Sequence, residues 1–350
     1  MPFPHHSSRE REPGDRGRGF GRAQAAAVGV TVTTYRRLLR EAADLSRQDI
    51  LRAGETVGAR LDPELVDELE GIAVGSGQDV RELLAINART ELLAGGSECS
   101  LLGRLELDGG WLAQTWDWHP ALAAATVVWT VEAGDRWWQT VTEAGVLAKL
   151  GHNDRGVACG LNFLTSSADG GLDGTPIHIL LRQVLEGCGS GAEARELLAR
   201  ARTSASSCIT VATAGSADLF AAELSPGGAR FVEPDRDGWL VHTNHFLSTP
   251  RAGEDTMPAT HPGTLDRFVR LARAARMGAG VPQVLAQHGE VAEPVCRHGD
   301  PPGTPWAEQR ATLAATWCRP AWRSLRVAAG PPCRAVFEPV SAPVSLGARG

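Results

Sequence analysis

The sequence predicts an α+β fold with segregated layers, and three observations predict it. Apolar residues recur at three- and four-residue spacing through the first part of the chain. After a Gly-Gly-Ser break at 95–97 they give way to short β-branched and aromatic runs punctuated by turn residues. Later helical patterns come in pairs between groups of such runs, not one for one with them, which fits layered antiparallel sheets better than a parallel α/β fold.

Residues 1–12 (MPFPHHSSRERE) are polar and proline-containing, and His5-His6 lack a third metal ligand, so a disordered tail is expected there. The remainder, 13–350, reads as a single domain. Alanine, Val, Tyr35, Leu38, Leu39 and Leu45 place a helix over 22–54. A second helix starts at Asp62 as N-cap with Pro63 at its first position and stops near Gly75. A third spans 79–87.

Beyond the break, 99–107 and 111–118 form a hairpin about the turn Asp108-Gly109-Gly110. Strands follow at 124–132, 138–150 and 156–163, then helices at 176–186 and 192–201, then strands at 208–213, 219–224 and 238–243. Helices at 265–276 and 281–288 and strands at 312–317 and 323–328 close the chain.

The chain has 350 residues, 43% of them hydrophobic, enough for a sizeable core. A formal charge of -6 excludes the basic footprint of a nucleic-acid binder. Seven cysteines, an odd number without a CxxC pair, fit reduced thiols in a cytoplasmic protein. No apolar run approaches the roughly 18 residues of a membrane span. Arginine vastly outnumbers lysine, which reads as coding bias.

The chemistry is placed at 87–118. Glycines at 95 and 96 hold no regular structure, so Cys99 stands at a segment junction, at the start of a strand. Asp117 lies between Trp116 and Trp118 and points to the opposite face from both. These tryptophans are candidates to line an apolar acyl pocket, while Trp129 and Trp137 read as core. Arg89 and Glu91 are candidates for an ion pair upstream of the junction. Asn244 follows an apolar strand, where a side-chain amide can donate to a developing oxyanion. Cys296-Arg297-His298 lacks partners for a metal site, and no metal is expected.

Several motifs carry a resemblance. They are GDRGRGFG at 14–21, NARTE at 87–91, Glu98-Cys99, WDW at 116–118, TEAG at 142–145, GVACGLN at 156–162, HTNHF at 242–246, CRH at 296–298 and GPPC at 330–333. In this order they resemble the penicillin acyltransferase-like family of N-terminal-nucleophile (Ntn) hydrolases, over about residues 12–340. The resemblance implies a four-layer αββα sandwich with Cys99 opening a central strand. It also implies self-cleavage between Glu98 and Cys99 into a helical N-terminal chain and a catalytic C-terminal chain that stay associated.

A thiol is the strongest side-chain nucleophile near neutral pH, and the freed α-amine, with an ordinary pKa of about 7.7–8.0, can serve as its base. The resemblance assigns Asp117 to orienting that amine, Asn244 to the oxyanion, Ser100 to positioning the thiol and a C-terminal arginine, here Arg310, to the site. His245 is read as supporting. Glu98 stands where a family member has glycine, and Arg319-Pro320 follow the strand near 312 where the family shows an aspartate.

The implied activity is hydrolysis or transfer of an acyl group from a small amide or thioester through an acyl-cysteine, with no cofactor and no nucleic-acid or membrane partner. An acyl-coenzyme A-dependent N-acyltransferase, with acyl-coenzyme A as co-substrate, is the first alternative. An unprocessed relative that only binds a small acylated ligand is the second. An ordinary Cys/His thiol hydrolase, in which His245 is indispensable, is the third.

Overall fold

A computed structural model describes residues 3–93, 99–215, 218–289 and 293–343. The first strand, β1 (His5–Ser8), pairs in parallel with β4 (Thr126–Ala133), so the expected disordered tail is in part an edge strand. Its polar side chains have partners: His5 Nε2 lies 2.7 Å from Thr130 Oγ1, and Trp129 Nε1 donates to Ser8 Oγ at 3.0 Å.

Among the described residues six helices precede Cys99: α1 (Pro13–Ala23), α2 (Ala25–Ala43), α3 (Arg47–Gly58), α4 (Pro63–Ser76), α5 (Val80–Asn87) and α6 (Arg89–Leu92). The helix expected over 22–54 is thus broken. Asp44 takes a left-handed conformation (φ 52°), and Ser46 and Asp49 form a capping box that restarts the chain as α3. Helix α1 was hidden by its glycines, which favour no helix alone. They serve packing: a Cβ on Gly17 would fall 2.0 Å from Glu68 O, and one on Gly71 would fall 2.2 Å from Gly14 O. Helices α1 and α4 therefore meet backbone to backbone. The buried carboxylate of Glu68 takes Arg16 Nη2 at 2.8 Å and Arg182 Nη2 at 2.7 Å, which ties this pair to α7 (Ile177–Gly187).

The remaining strands are β2 (Cys99–Glu106), β3 (Gly109–Trp118), β5 (Arg136–Glu143), β6 (Leu150–Asn153), β7 (Val157–Phe163), β8 (Ser207–Thr213), β9 (Leu219–Ser225), β10 (Gly228–Val232), β11 (Trp239–His242), β12 (Ala311–Arg319), β13 (Ser324–Ala329) and β14 (Glu338–Val340). The expected strand over 138–150 is split where Gly145 turns at φ 98°. One sheet runs β1-β4-β5-β6-β7-β8-β9-β10 and the other β11-β2-β3-β12-β13-β14.

The sheets face each other, with β2 and β3 against β7 and β8. Helices α7 and α8 (Gly191–Arg200) cover the first sheet. Helices α10 (Gly263–Arg276) and α11 (Val281–Leu285) cover the second, with the short α9 (Met257–Thr260) leading in. The result is the four-layer αββα sandwich. Among the described residues, no helix is long and apolar enough to cross a membrane.

Candidate active site

Cys99 is the first residue of β2, an interior strand held between the edge strand β11 and β3. Its cross-strand partner is Trp116, so the two side chains share a face, the one turned toward the other sheet. A cavity opens there, lined by Cys99, Trp116, Trp118, Arg89, Lys149 and Leu161 among others. Cys99 itself is 4% exposed.

The backbone of Cys99 is clamped on both sides. Its N–H donates to Asn244 Oδ1 at 3.1 Å, and its carbonyl accepts from Asn162 Nδ2 at 3.0 Å and Arg267 Nη1 at 3.1 Å. Arg267 also donates to Ser100 Oγ (3.0 Å) and Asn244 Oδ1 (2.9 Å), while Asn244 Nδ2 donates to Phe163 O (2.9 Å). Two pure donors on one side and a pure acceptor on the other fix which way the Asn244 amide faces. The turn carrying Asn244 is itself braced. His242 Nε2 meets Glu223 Oε1 at 2.9 Å, and Glu223 takes the Leu247 and Ser248 amides at 2.6 and 2.9 Å. Burial opposes charge on His242, but Cys208 and Glu223 beside it push its pKa up to about 10.

Polar residues gather around one carboxylate beside the cavity. Glu143 accepts from Tyr35 Oη at 2.7 Å and Lys149 Nζ at 3.1 Å, and Arg89 lies 3.3 Å away. Tyr35 in turn accepts from Trp118 Nε1 at 2.8 Å, and Lys149 Nζ sits 3.7 Å above the Trp116 ring. Arg89 also reaches His178, which burial and the neighbouring cations Arg89 and Lys149 hold in its neutral form. Two cations share one carboxylate, and guanidinium does not give up its proton. The strain therefore falls on Lys149. Burial and Arg89 lower its pKa to about 7, against the opposing pull of Glu143 and Cys99.

The expected site is thus partly reassembled. Cys99, Arg89, Trp116 and Trp118 meet at the cavity. Asp117 faces the other way, as strand alternation requires, and its Oδ1 accepts from Thr312 Oγ1 at 2.6 Å on the α10–α11 side of the sheet. It is a buried framework carboxylate and not the orienter of the Cys99 amine. Asn244 presents its oxygen to Cys99, so it holds the backbone nitrogen and is not placed as an oxyanion donor.

Arg310 gives its guanidinium to the Ala307 and Gln309 carbonyls, both at 2.8 Å, and stacks on Trp118 at 4.9 Å; the arginine on the Cys99 carbonyl is Arg267. Ser100 faces Arg267 and α10, away from the thiol. His245 bonds to Thr243 and Thr264 hydroxyls (3.2 and 3.1 Å) and is a packing residue. Arg89 and Glu91 do not pair with each other: Arg89 takes Glu143, and Glu91 Oε1 accepts from Ile177 N at 3.0 Å at the start of α7. Trp129, fully buried against Phe20, is core as expected. Glu98 and the Glu98–Cys99 bond lie outside the described residues.

Glu91 yields a stability prediction. Among the described residues its Oε2 is shut from water without a partner, and burial raises its carboxyl pKa to about 7 against the pull of the Ile177 amide. Between its ordinary value and about pH 7 the folded chain keeps a proton that the unfolded chain has lost, so stability falls as pH rises through that window. Glu91→Gln is expected to leave Tm unchanged at pH 5 and to stabilise by about 1–3 kcal/mol at pH 8, read by calorimetry at both pH values. An equal effect at both would remove the carboxyl as the cause.

Residues 104–271 match the profile of the family described as acyl-coenzyme A:6-aminopenicillanic acid acyl-transferase. Over 207 residues the chain is 31% identical to the 40 kDa form of acyl-coenzyme A:6-aminopenicillanic-acid-acyltransferase from Emericella nidulans. That match covers 57% of this chain and 57% of the relative, so it spans little more than half of the relative's length. Among solved structures, the Caenorhabditis elegans N-acylethanolamine-hydrolyzing acid amidase ortholog is similar at 16% identity and a TM-score of 0.46, covering 64% of this chain and 93% of that one. Penicillin V acylase from Agrobacterium tumefaciens is similar at 14% identity and a TM-score of 0.42, covering 66% and 82%. The resemblance carried by the motifs stands, and its matched stretch holds Asn162, Asn244 and Arg267, with Cys99 just upstream.

Proposed function

We propose, from this relation to the acyl-coenzyme A:6-aminopenicillanic acid acyltransferases, that the chain is a self-processing N-terminal-cysteine hydrolase or acyltransferase of small acyl amides or thioesters. The observation that carries the reading is the placement of Cys99. Its side chain faces a cavity while its nitrogen is held by Asn244 Oδ1 and its carbonyl by Asn162 and Arg267. Cleavage before Cys99 would turn that held nitrogen into an α-amine already aimed by Asn244, within reach of its own thiol. The thiolate would attack the acyl carbonyl, the thioester would form as the amine or thiol leaving group departs with the proton, and water or an amine would then take the acyl group. Trp116 and Trp118 offer the apolar wall for that acyl group. The free cysteines fit a reducing, cytoplasmic setting.

Incubation with a panel of N-acyl amides and acyl-coenzyme A thioesters tests this, with and without a primary amine. Intact mass should show the acyl group added to the chain that begins at Cys99, and products should partition to the acylated amine when it is present if transfer prevails. No acyl adduct and no turnover across the panel would leave a non-catalytic binder.

Before cleavage Cys99 has no amine, so processing needs another base. Lys149 lines the same cavity as Cys99, pairs with Glu143 and sits over the Trp116 ring, and it feels the charge of both Arg89 and Cys99. Below about pH 7 it is a cation and accepts nothing; above it the neutral amine can take the thiol proton. Processing should therefore speed up about tenfold per pH unit below 7 and level off above. Lys149→Met should slow it by about 10²–10⁴-fold and remove the inflection, followed as precursor half-life across pH 5–9. A Lys149→Met profile with the inflection intact would rule out this base.

A further inference from the structure

Four side chains with no part in the cavity converge on the α10–α11 side of the second sheet. His288 follows α11, Cys296 and His298 flank Arg297 in the segment leading to β12, and Cys333 lies in the turn after β13. The sequence suggested that Cys296 and His298 lacked partners; the fold supplies them from 35 residues downstream and from the end of the preceding helix. Their ligand atoms all lie within 4.8 Å of one another. His288 Nε2 is 3.0 Å from His298 Nε2, which is 3.0 Å from Cys333 Sγ and 3.7 Å from Cys296 Sγ. Both cysteines are free thiols.

We propose that His288, Cys296, His298 and Cys333 form a structural site for a divalent zinc-class ion. Tetrahedral zinc with Zn–N of about 2.0–2.1 Å and Zn–S of about 2.3 Å sets ligand-to-ligand edges near 3.3–3.8 Å, so changes of up to about an ångström in the separations close this set around a metal. Two thiolates and two imidazoles suit zinc, whereas magnesium and calcium require oxygen donors. Four protein ligands leave no open coordination position, which makes the site structural.

Its consequence is mechanical. The Arg297 backbone between Cys296 and His298 brackets Thr312, donating to its Oγ1 at 2.9 Å and accepting from its N at 3.0 Å, and Thr312 Oγ1 holds Asp117. The ion would fasten the frame behind Trp116 and Trp118. The site does not depend on the proposed acyl chemistry.

The test is the metal content of the untagged, full-length protein purified without chelator. Mass spectrometry of the metals should find about one zinc per chain, and mercurial modification of the thiols should release it to a chromogenic chelator. Cys333→Ser and His288→Gln should each lower it at least tenfold, while His6→Gln, a half-buried histidine on β1 of the other sheet, should keep it. Should the variants fail to fold, wild-type protein loaded with cobalt is decisive by itself, since tetrahedral thiolate ligation gives intense visible bands. Zinc that stays far below one per chain after dialysis against added Zn²⁺, colourless cobalt-treated protein, or a Cys296–Cys333 disulfide in fresh protein would each overturn the site.

Discussion

Cys99→Ala protein is expected to remain one uncut chain and to lose acyl turnover by at least about 10⁴-fold, since the nucleophile is the one group whose work no neighbour can take over. Intact mass of the two proteins side by side reads the result. Wild type should separate into residues 1–98 and 99–350 under denaturing conditions, and the variant should not. The cavity and the clamps on the Cys99 backbone survive the change, because Asn244, Asn162 and Arg267 all bind main-chain atoms of residue 99. The variant should fold normally and still bind acyl ligands. Wild type that stays whole after long incubation at pH 8 would end the self-processing mechanism, and processing of the variant would move the nucleophile elsewhere.

Arg267→Met should slow processing by about 10²–10³-fold, the loss typical of removing an electrostatic donor at a reacting centre. Arg267 is fully buried in α10 and, among the described residues, has no carboxylate partner. A desolvated cation without a counter-charge costs several kcal/mol, offset here only in part by three hydrogen bonds. Negative charge on the Cys99 thiol, once deprotonated for attack, is the missing complement. Methionine fills similar volume, and relief of the buried charge works against the loss of hydrogen bonds, so Tm should move little while the rate collapses. Arg267→Lys keeps the charge but cannot fork to the Cys99 carbonyl, Ser100 and Asn244 together, so it should restore only part of the rate. A Met variant that processes normally would reduce Arg267 to a structural tie.

The sequence made some of this legible and hid the rest for physical reasons. Cys99 at the head of a strand followed from the glycines before it and the alternation after it, and the layered α+β arrangement followed from the grouping of helices and strands. Asp117 shows the limit of reading a motif as a unit: strand alternation already put it on the face opposite Trp116, and Cys99 shares the face of Trp116. Asn244 was found as a residue but not as an atom, because only the folded geometry shows that its oxygen and not its nitrogen meets Cys99.

Arg267 looks like any other arginine of an amphipathic helix, with Arg270, Arg273 and Arg276 at the same spacing; only the seating of α10 on the sheet separates it from them. Lys149 did leave a trace. It is the only lysine of the chain, and a residue type otherwise replaced throughout by arginine stands where a proton must come and go. The tetrad of His288, Cys296, His298 and Cys333 left only Cys296 and His298 as a pair short of ligands, since no local spacing announces a partner so far along the chain as Cys333.

The segment before Cys99 supplies the edge strand β1 and also Glu68, Tyr35 and Arg89, whose partners Arg182, Glu143 and Trp118 lie beyond the junction. Once the bond before Cys99 is cut, what had been intramolecular contacts become contacts between two molecules, and the reaction order of folding changes. The intact chain refolds at a rate independent of dilution; the cut pair must first find each other, at a rate that falls with concentration and with no bond to reunite the ends. A processed molecule that melts in dilute solution would therefore not return, and the fold would carry a one-way record of having been made.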